Sequence, residues 1–551
     1  MEGLIAAGVR TIFGNPGTTE LPLLDSLADY PQLQYYLALH EGVAVGMGDA
    51  YALATGKLGV VNLHVAPGLG NGLGMLVNAK EGHSPVLITA GQQDTRMRLR
   101  DPLLSGDLVA MAAPLTKWSA QIERAEEIPL MLHRAVKTAL EPPRGPVFLS
   151  LPINVMEEET SAVPLPPPEG YTAGRPDAGA VDDAAERLLD AHNPVIVCGQ
   201  GVFHAAAQGE LVSISELLGA PVWNTVLPAT VNFPTSHPHY QGELPGDYGR
   251  IRQALGPADA LLMVGGEFFK EIFHAPGLPF ADDTILIQIE ESPQALARNF
   301  ALHSGIVAGL RDALQALREA LLFNASVDYH AAAQARGEKL VAHKADERKK
   351  QEQRLRKNWQ RDPMAPVRFM WELKEALPPD AVVVSEAITG NADLQRMFPI
   401  ERAGDYYGSR GGGIGQGLPG ALGFQLAHPD RPVVAVSGDG SSLYSIQALW
   451  TAAHHEIPVL FVILNNSTYR ILKINMDRYR SEFGVGGERG YPHMDLTGPE
   501  VNYVKVAQGL GVPARRITKP EQVGPAVRRA LKSGGPQLLD IVVDGTWPPR
   551  R

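Results

Sequence analysis

The chain has 551 residues, 44% of them hydrophobic and 20% charged, and a net charge of −11. That length exceeds a single hydrophobic core and calls for about two to four domains. The acidic balance gives no basis for nucleic-acid binding. The single cysteine, Cys198, excludes an internal disulfide or a Cys-cluster metal site, and no apolar run reaches membrane-spanning length.

Short Val/Ile/Leu runs alternate with longer amphipathic segments throughout, the pattern of α/β domains whose parallel sheets are covered by helices. The start, Met1-Glu2-Gly3-Leu4, lacks the basic residues and apolar core of a secretion signal, so a cytoplasmic protein is expected. In a first domain, 1–165, strands are expected at Val9–Phe13, Leu33–Leu37, Gly59–Leu63, Val86–Thr89 and Val147–Ser150. Glu41 stands between the second of these and a helix rich in Ala, Gly and Met, Gly42–Thr55. An acid in such packing is partly desolvated, which suits a proton-sharing role; the same residue also reads as a plain helix start stabilised by the dipole.

Val163–Gly170 is Pro-rich and can be neither helix nor central strand, so it is read as a linker. The middle domain, 175–325, carries expected strands at Val195–Val197, Ala260–Val264 and Ile285–Gln288. Cys198 closes an apolar run and reads as a small buried hydrophobe. No nucleotide fingerprint is visible there, and no FAD or other nucleotide is expected. Lys339–Arg361, dense in Lys, Arg, Glu and Gln, reads as an exposed helix leading to a last domain, 360–551.

That domain has expected strands at Val382–Val384, Val433–Val436, Pro458–Leu464 and Leu538–Val542. Gly415-Gln416-Gly417-Leu418-Pro419-Gly420 fits Gly-x-Gly-x-x-Gly. It lacks a strand directly before it, and Pro419 falls where the helix should run, which argues against an NAD-dependent oxidoreductase. More informative is Ser437-Gly438-Asp439-Gly440-Ser441-Ser442, followed by Leu464-Asn465-Asn466-Ser467-Thr468. Between them Leu443, Ile446, Leu449, Trp450 and Ala453 recur at helical spacing. Two successive strand ends thus carry an Asp and an Asn. Carboxylate, amide and carbonyl oxygens are the ligands of Mg2+, usually together with phosphate oxygens. A helix start after Gly440 supplies N–H groups for such phosphates. His454 and His455 sit at that helix's end and receive no catalytic role.

Gly-Asp-Gly followed about a βαβ unit later by Asn-Asn resembles the thiamine diphosphate (ThDP) signature. Phe13-Gly14-Asn15-Pro16-Gly17-Thr18-Thr19-Glu20, Asn62-Leu63-His64-Val65-Ala66-Pro67-Gly68 and Thr89-Ala90-Gly91-Gln92-Gln93 extend the match. With them essentially the whole chain resembles the ThDP-dependent 2-oxoacid decarboxylase and acetolactate synthase superfamily, and within it the benzoylformate decarboxylase branch. The resemblance implies three doubly wound parallel-sheet domains (pyrimidine-binding, central and diphosphate-binding), with ThDP and Mg2+ as cofactors. It also implies an active site between the first domain of one subunit and the last of another. The minimal unit is then a homodimer, and the family is usually a homotetramer.

By the same resemblance Asp439, Asn466 and the carbonyl of Thr468 ligate Mg2+. Thr389, Gly438, Gly440, Ser441 and backbone near Tyr469 hold the diphosphate, and Ile414 is the apolar wedge that bends the cofactor. Glu41 hydrogen-bonds the aminopyrimidine and favours the tautomer that activates the thiazolium. Thr18 matches a substrate-carboxylate contact, His64 the first active-site histidine, and Leu103 and Leu104 pocket leucines. The chain departs from the branch elsewhere. A second histidine aligns near Ile272, with His274 two positions away; pocket phenylalanines become Gly408 and Asn475, and a pocket alanine becomes Ile471. The expected activity is ThDP- and Mg2+-dependent decarboxylation of a 2-oxoacid, with aldehyde release or capture of an aldehyde acceptor as a 2-hydroxyketone. An acetolactate synthase-like carboligase is the alternative; a non-catalytic ThDP-binding protein would not need both Glu41 and His64.

Overall fold

A strand covered on both faces must be apolar at every position, because successive side chains point to opposite sides. The middle domain obeys this closely. In Pro194–Cys198, Ile196 and Cys198 enter one core with Leu262 and Val264 of Ala260–Val264. Val195 and Val197 enter a second core with Leu261 and Met263. Cys198 is fully buried there, its thiol donates to Asn224 Oδ1 at 3.1 Å, and burial pushes its pKa up.

The computed structural model describes residues 1–166, 173–487 and 489–547. The chain forms two compact units: Met1–Glu169, Lys357–Phe398 and Ser409–Arg551 in one, Gly170–Arg356 and Pro399–Gly408 in the other. The first and last expected domains thus fall in one unit, each with its own sheet. Of the expected linker, 167–170 lies outside the described residues.

The first sheet runs, in space, Gln34–Leu37, Thr11–Gly14, Gly59–Leu63, Val86–Gln92, Val147–Pro152 and Trp118–Gln121, all parallel. The order changes direction between Thr11–Gly14 and Gly59–Leu63. In open parallel sheets, ligands bind outside the carboxyl ends at such a reversal. In the same unit, the last domain's strands lie in the order Val382–Glu386, Val433–Gly438, Val459–Asn465, Gln537–Val542 and Ala514–Ile517, also parallel. In the second unit the order is Ser304–Val307, Ile285–Glu290, Ala260–Val264, Pro194–Cys198, Val222–Asn224 and Tyr240–Glu243, again parallel.

Several expectations need correction. The helix expected from Lys339 spans Val327–Lys357. Its Ala331-Ala332-Ala333 start favours helix, and Arg336 and Lys344 donate to the carbonyls of Leu218, Thr235 and Tyr240. The helix expected across Leu443–Ala453 is broken: helices span Asp439–Ser442 and Ala448–His454. Between them the backbone tightens to bonds such as Ala448 N–H to Ser445 O, and the Ser445 hydroxyl donates to Gly415 O at 2.6 Å. Pro419 does not stop a helix. It lies in the first turn of Gly417–Ala427, where a missing N–H costs nothing.

Candidate active site

The carboxyl ends of the first sheet's reversal carry Gly17–Glu20 after one strand and His64 after the other. Glu20 is 1% exposed. Its carboxylate accepts N–H groups of Gly17 and Gly91 at 2.8 Å each and the Thr19 hydroxyl at 2.8 Å. It also meets His64 Nδ1 at 2.8 Å. The Glu20 oxygens act as acceptors throughout this cluster, so His64 presents Nδ1–H to them and leaves Nε2 without a partner among the described residues. The His64 side chain is 23% exposed. A Cβ on Gly17 would lie 2.1 Å from His64 Nδ1, so the ring packs where only glycine leaves room. Thr18 is exposed beside this pair, whereas Thr19 is buried in it. Glu20 was not singled out from the sequence; its partners lie up to Gly91, and no local pattern marks them.

Glu41 opens the helix Glu41–Thr55, capped by His40, whose Nδ1 accepts the Gly42 N–H at 3.0 Å. Its buried carboxylate accepts one side-chain bond, from Asn71 Nδ2 to Oε2 at 3.1 Å, and Oε1 has no protein partner among the described residues. Asn71 lies on the helix Val65–Glu81 that His64 caps. Its role is a further one missed from sequence. Leu103 and Leu104 are exposed in the neighbouring loop, where Leu104 O accepts the Ala66 N–H at 3.4 Å.

In the last domain's sheet Gly438 pairs with Leu464, which brings Asp439 and Asn466 to neighbouring strand ends. Asp439 Oδ2 accepts the N–H groups of Asn466 at 3.0 Å and Ser467 at 2.6 Å, and Oδ1 accepts that of Gly440 at 2.8 Å. Burial raises the Asp439 pKa, and these N–H groups oppose the rise. Ser467 has φ of 54°, a left-handed conformation that non-glycine residues rarely adopt and that clusters at functional sites. Asn466 Oδ1 accepts the Thr468 N–H at 3.0 Å. A Cβ on Gly545 would lie 2.3 Å from Asn466 O, so the loop is backed without a gap.

The donor set offered by Asp439, Asn466 and Thr468 is all oxygen with a single charge. Among the described residues no three His, Cys, Asp or Glu side chains converge as a metal cage. This fits a hard divalent cation that brings further oxygens with a diphosphate, and does not fit a zinc-type site. The Tyr469 N–H is already given to Met494 O at 2.8 Å. Gly438, Gly440 and Ser441 flank Asp439, and Thr389 lies half-buried after Val382–Glu386. Ile414 projects 41% exposed from a glycine-rich loop.

The remaining pocket positions divide. Ile471 and Asn475 lie four residues apart, hence on one face, of Arg470–Glu482. Gly408 belongs to the second unit; its N–H bonds Ala229 O at 2.8 Å, and a Cβ would stand 3.0 Å from Pro228 O. Local packing therefore already favours a small residue there. Ile272 and His274 are exposed in that unit, in a turn where the Ile272 and Phe273 N–H groups both reach Gly246 O. No described helix is long and apolar enough to cross a membrane.

The family models for thiamine pyrophosphate enzymes match this chain in three parts. The N-terminal TPP binding domain covers residues 1–111, the central domain 181–317 and the C-terminal TPP binding domain 389–541. The chain is similar to benzoylformate decarboxylase of Pseudomonas aeruginosa, with 34% identity over 97% of this chain and 96% of that one. It is also similar to the acetolactate synthase isozyme 3 large subunit of Escherichia coli, with 27% identity over 99% of this chain and 94% of that one. Among solved structures, the thiamine diphosphate-dependent 4-hydroxybenzoylformate decarboxylase of Rhodococcus jostii superposes with a TM-score of 0.84. Its identity is 31%, over 98% of each chain.

Proposed function

We propose that this chain, which belongs to the thiamine pyrophosphate enzyme family, decarboxylates a 2-oxoacid with Mg2+ as companion ion. The product is released as an aldehyde or joined to an aldehyde acceptor as a 2-hydroxyketone. Bound thiamine diphosphate supplies the nucleophilic carbon and the electron sink that this chemistry needs. The protein's part falls to its own side chains. Glu41, with Oε1 open, holds or shares a proton at the aminopyrimidine. Asp439, Asn466 and the Thr468 carbonyl hold the cation. Gly438, Gly440, Ser441, Thr389 and backbone near Tyr469 would hold the diphosphate, and Ile414 would support the cofactor as its apolar wedge.

The observation that carries the reading is the Glu20–His64 pair. An imidazole anchored through Nδ1 by a buried carboxylate presents Nε2 as a general acid or base, and Thr18 stands beside it for the substrate carboxylate. The name of the Pseudomonas relative favours a 2-oxoacid substrate of the benzoylformate kind. By the resemblance read from the sequence, Ile471 and Asn475 take the places of a pocket alanine and a pocket phenylalanine, and a second histidine falls at or near Ile272. These differences support small or polar donors, with Leu103 and Leu104 lining the pocket, and a slower protonation that leaves time for an acceptor. Gly408 carries less of this argument, since local packing also favours a small residue there.

An acetolactate synthase-like carboligase without a separate decarboxylase role is the second reading, supported by the likeness of the glycine-rich run Gly411–Pro419 to such members. Domain limits near 1–165, 175–325 and 360–551, a homodimer as minimal active unit, a homotetrameric assembly and a cytoplasmic location complete the proposal. Product analysis tests it. Pyruvate, aliphatic 2-oxoacids and benzoylformate are each supplied with and without an aldehyde acceptor, and CO2, aldehyde and hydroxyketone are measured. If benzoylformate is the best donor and benzaldehyde the sole product even with excess acceptor, the ligation reading fails and plain decarboxylation stands.

A further inference from the structure

Ile414 is an exposed apolar side chain on a loop whose polar anchors are all buried. Its neighbours, Gly413 and Gly415, are tied to opposite walls. From the first domain, Asn78 accepts the Gly413 N–H with Oδ1 and donates Nδ2 to Gly413 O, each at 2.9 Å. From the last domain, Glu386 takes the N–H of Gly415 at 2.7 Å and of Gln416 at 3.1 Å on Oε1, and that of Gly417 at 3.0 Å on Oε2. Asn78 is 1% exposed and Glu386 2%.

The loop is also closed on itself and filled from outside. Gln416 accepts from Arg410 N–H and donates to Arg410 O, and buried Arg410 pairs with Asp49 at 2.5 Å. A Cβ on Gly413 would lie 2.6 Å from Gly74 O, and one on Gly415, with φ of 98°, would lie 2.6 Å from Tyr444 Cβ. Neither flanking peptide can slide or rotate without breaking a buried hydrogen bond, and each such loss leaves an unsatisfied polar group. Asn78 stands seven residues after Asn71 on the helix Val65–Glu81, about two turns and roughly 10 Å along one face. One rigid element therefore touches both Glu41 and the Ile414 loop.

We propose that Asn78 and Glu386 are positioning residues that fix the projection of Ile414, acting from either side of it. The inference rests on the assignment of Ile414 to the cofactor, and a double-mutant cycle separates the two. Asn78→Ala, Ile414→Ala and the double variant are prepared as full-length protein with ThDP and Mg2+. Turnover is followed with the 2-oxoacid that the parent uses fastest. Amide hydrogen exchange over 409–418 is followed in the cofactor-free protein.

Asn78→Ala is expected to speed exchange in 409–418 and to lower kcat by about 10²-fold, the cost of a misplacement near 1 Å. Half-saturating ThDP should stay within about threefold, because uniform binding is not what is lost. In the Ile414→Ala background, Asn78→Ala should change kcat by less than about twofold, since the group it positions is gone. Equal factors in both backgrounds would mean that Asn78 acts by general packing, and would overturn the proposal. So would a parental kcat in Asn78→Ala when Ile414→Ala is impaired. A parental kcat in Ile414→Ala instead removes the assignment of Ile414, and this inference with it. If Asn78→Ala does not fold, Asn78→Asp keeps the acceptor for the Gly413 N–H, loses the donor, and runs through the same cycle with the same criteria.

Discussion

Glu386→Gln should change how stability depends on pH, and the size of the change follows from the site. The carboxyl sits fully inside the protein, and burial lifts its pKa from an ordinary 4.5 to about 7, with the N–H groups of Gly417, Gly415 and Gln416 and the Ser437 hydroxyl pulling the other way. No charged side chain is among these causes. Below pH 4.5 the group is protonated in folded and unfolded chains alike, and it costs nothing. Between 4.5 and about 7 the folded form holds its proton more tightly than the unfolded one, so stability falls as pH rises. Above 7 both forms are ionised and the loss is complete, about 3 kcal/mol at roughly 1.4 kcal/mol per pH unit.

Glutamine cannot ionise, so the variant lacks this slope. Its amide oxygen can serve Gly415 and Gln416, but its NH2 group then faces the Gly417 N–H, and a buried unsatisfied donor costs about 1–3 kcal/mol. At pH 8 the two effects nearly cancel; at pH 5 the variant should be clearly weaker than the parent. Urea unfolding of both proteins at pH 5, 6, 7 and 8 measures the difference directly, and every other titrating group cancels in it. A difference that stays constant over that range would show that Glu386 does not ionise with a raised pKa, and the reasoning would fail.

Other expectations concern the site. Asp439→Ala removes the one anionic ligand of the proposed cation and the acceptor for three N–H groups, and calorimetric titration should find ThDP binding with Mg2+ abolished; tight binding would sink the metal assignment. Glu41→Gln should keep ThDP binding but slow its C2 proton exchange by orders of magnitude, at about 1.4 kcal/mol per decade. NMR in heavy water reads the rate, and an unchanged rate contradicts the role given to Glu41. Glu20→Gln should release His64 from its fixed tautomer and lower decarboxylation by about 10²-fold or more, while hydroxyketone formation falls less. Equal losses in both products would remove His64 from the protonation step.

Much of this was legible from the sequence, for a physical reason. Strands covered on both faces, such as Gly59–Leu63, Ala260–Val264 and Val459–Asn465, are continuous apolar runs and were expected within a residue or two of their observed limits. The strands missed lie at or near sheet margins. Trp118–Gln121 is only partly buried, Ser304–Val307 alternates buried with exposed, and Ala514–Ile517 carries two exposed arginines. Such segments owe their conformation to the neighbouring strand, and nothing in their own composition announces it.

The site divides in the same way. Asp439, Asn466, Glu41 and His64 stand at strand or helix ends, where local pattern points to them. Glu20, Asn71, Asn78 and Glu386 act on groups far away in the chain, and an isolated Glu or Asn carries no mark of a distant partner. The break at Leu443–Gln447 was hidden likewise, because apolar spacing records which side chains face inward and is blind to a serine hydroxyl drawn to Gly415 O.

The unit holding the site is made of stretches on either side of 170–356, which belongs to the other unit. Its last strand to be synthesised, Gln537–Val542, is not a margin strand; it lies between Val459–Asn465 and Ala514–Ile517. That sheet therefore cannot close until Val542 has been synthesised, of the order of a minute of translation for the residues up to it. Until then Val459–Asn465 presents an unpaired apolar edge, which is the state in which strands pair wrongly with other chains. The second unit's main stretch is continuous and complete much earlier. Termination before Gln537 should thus yield insoluble product with an intact second unit, rather than a shortened enzyme.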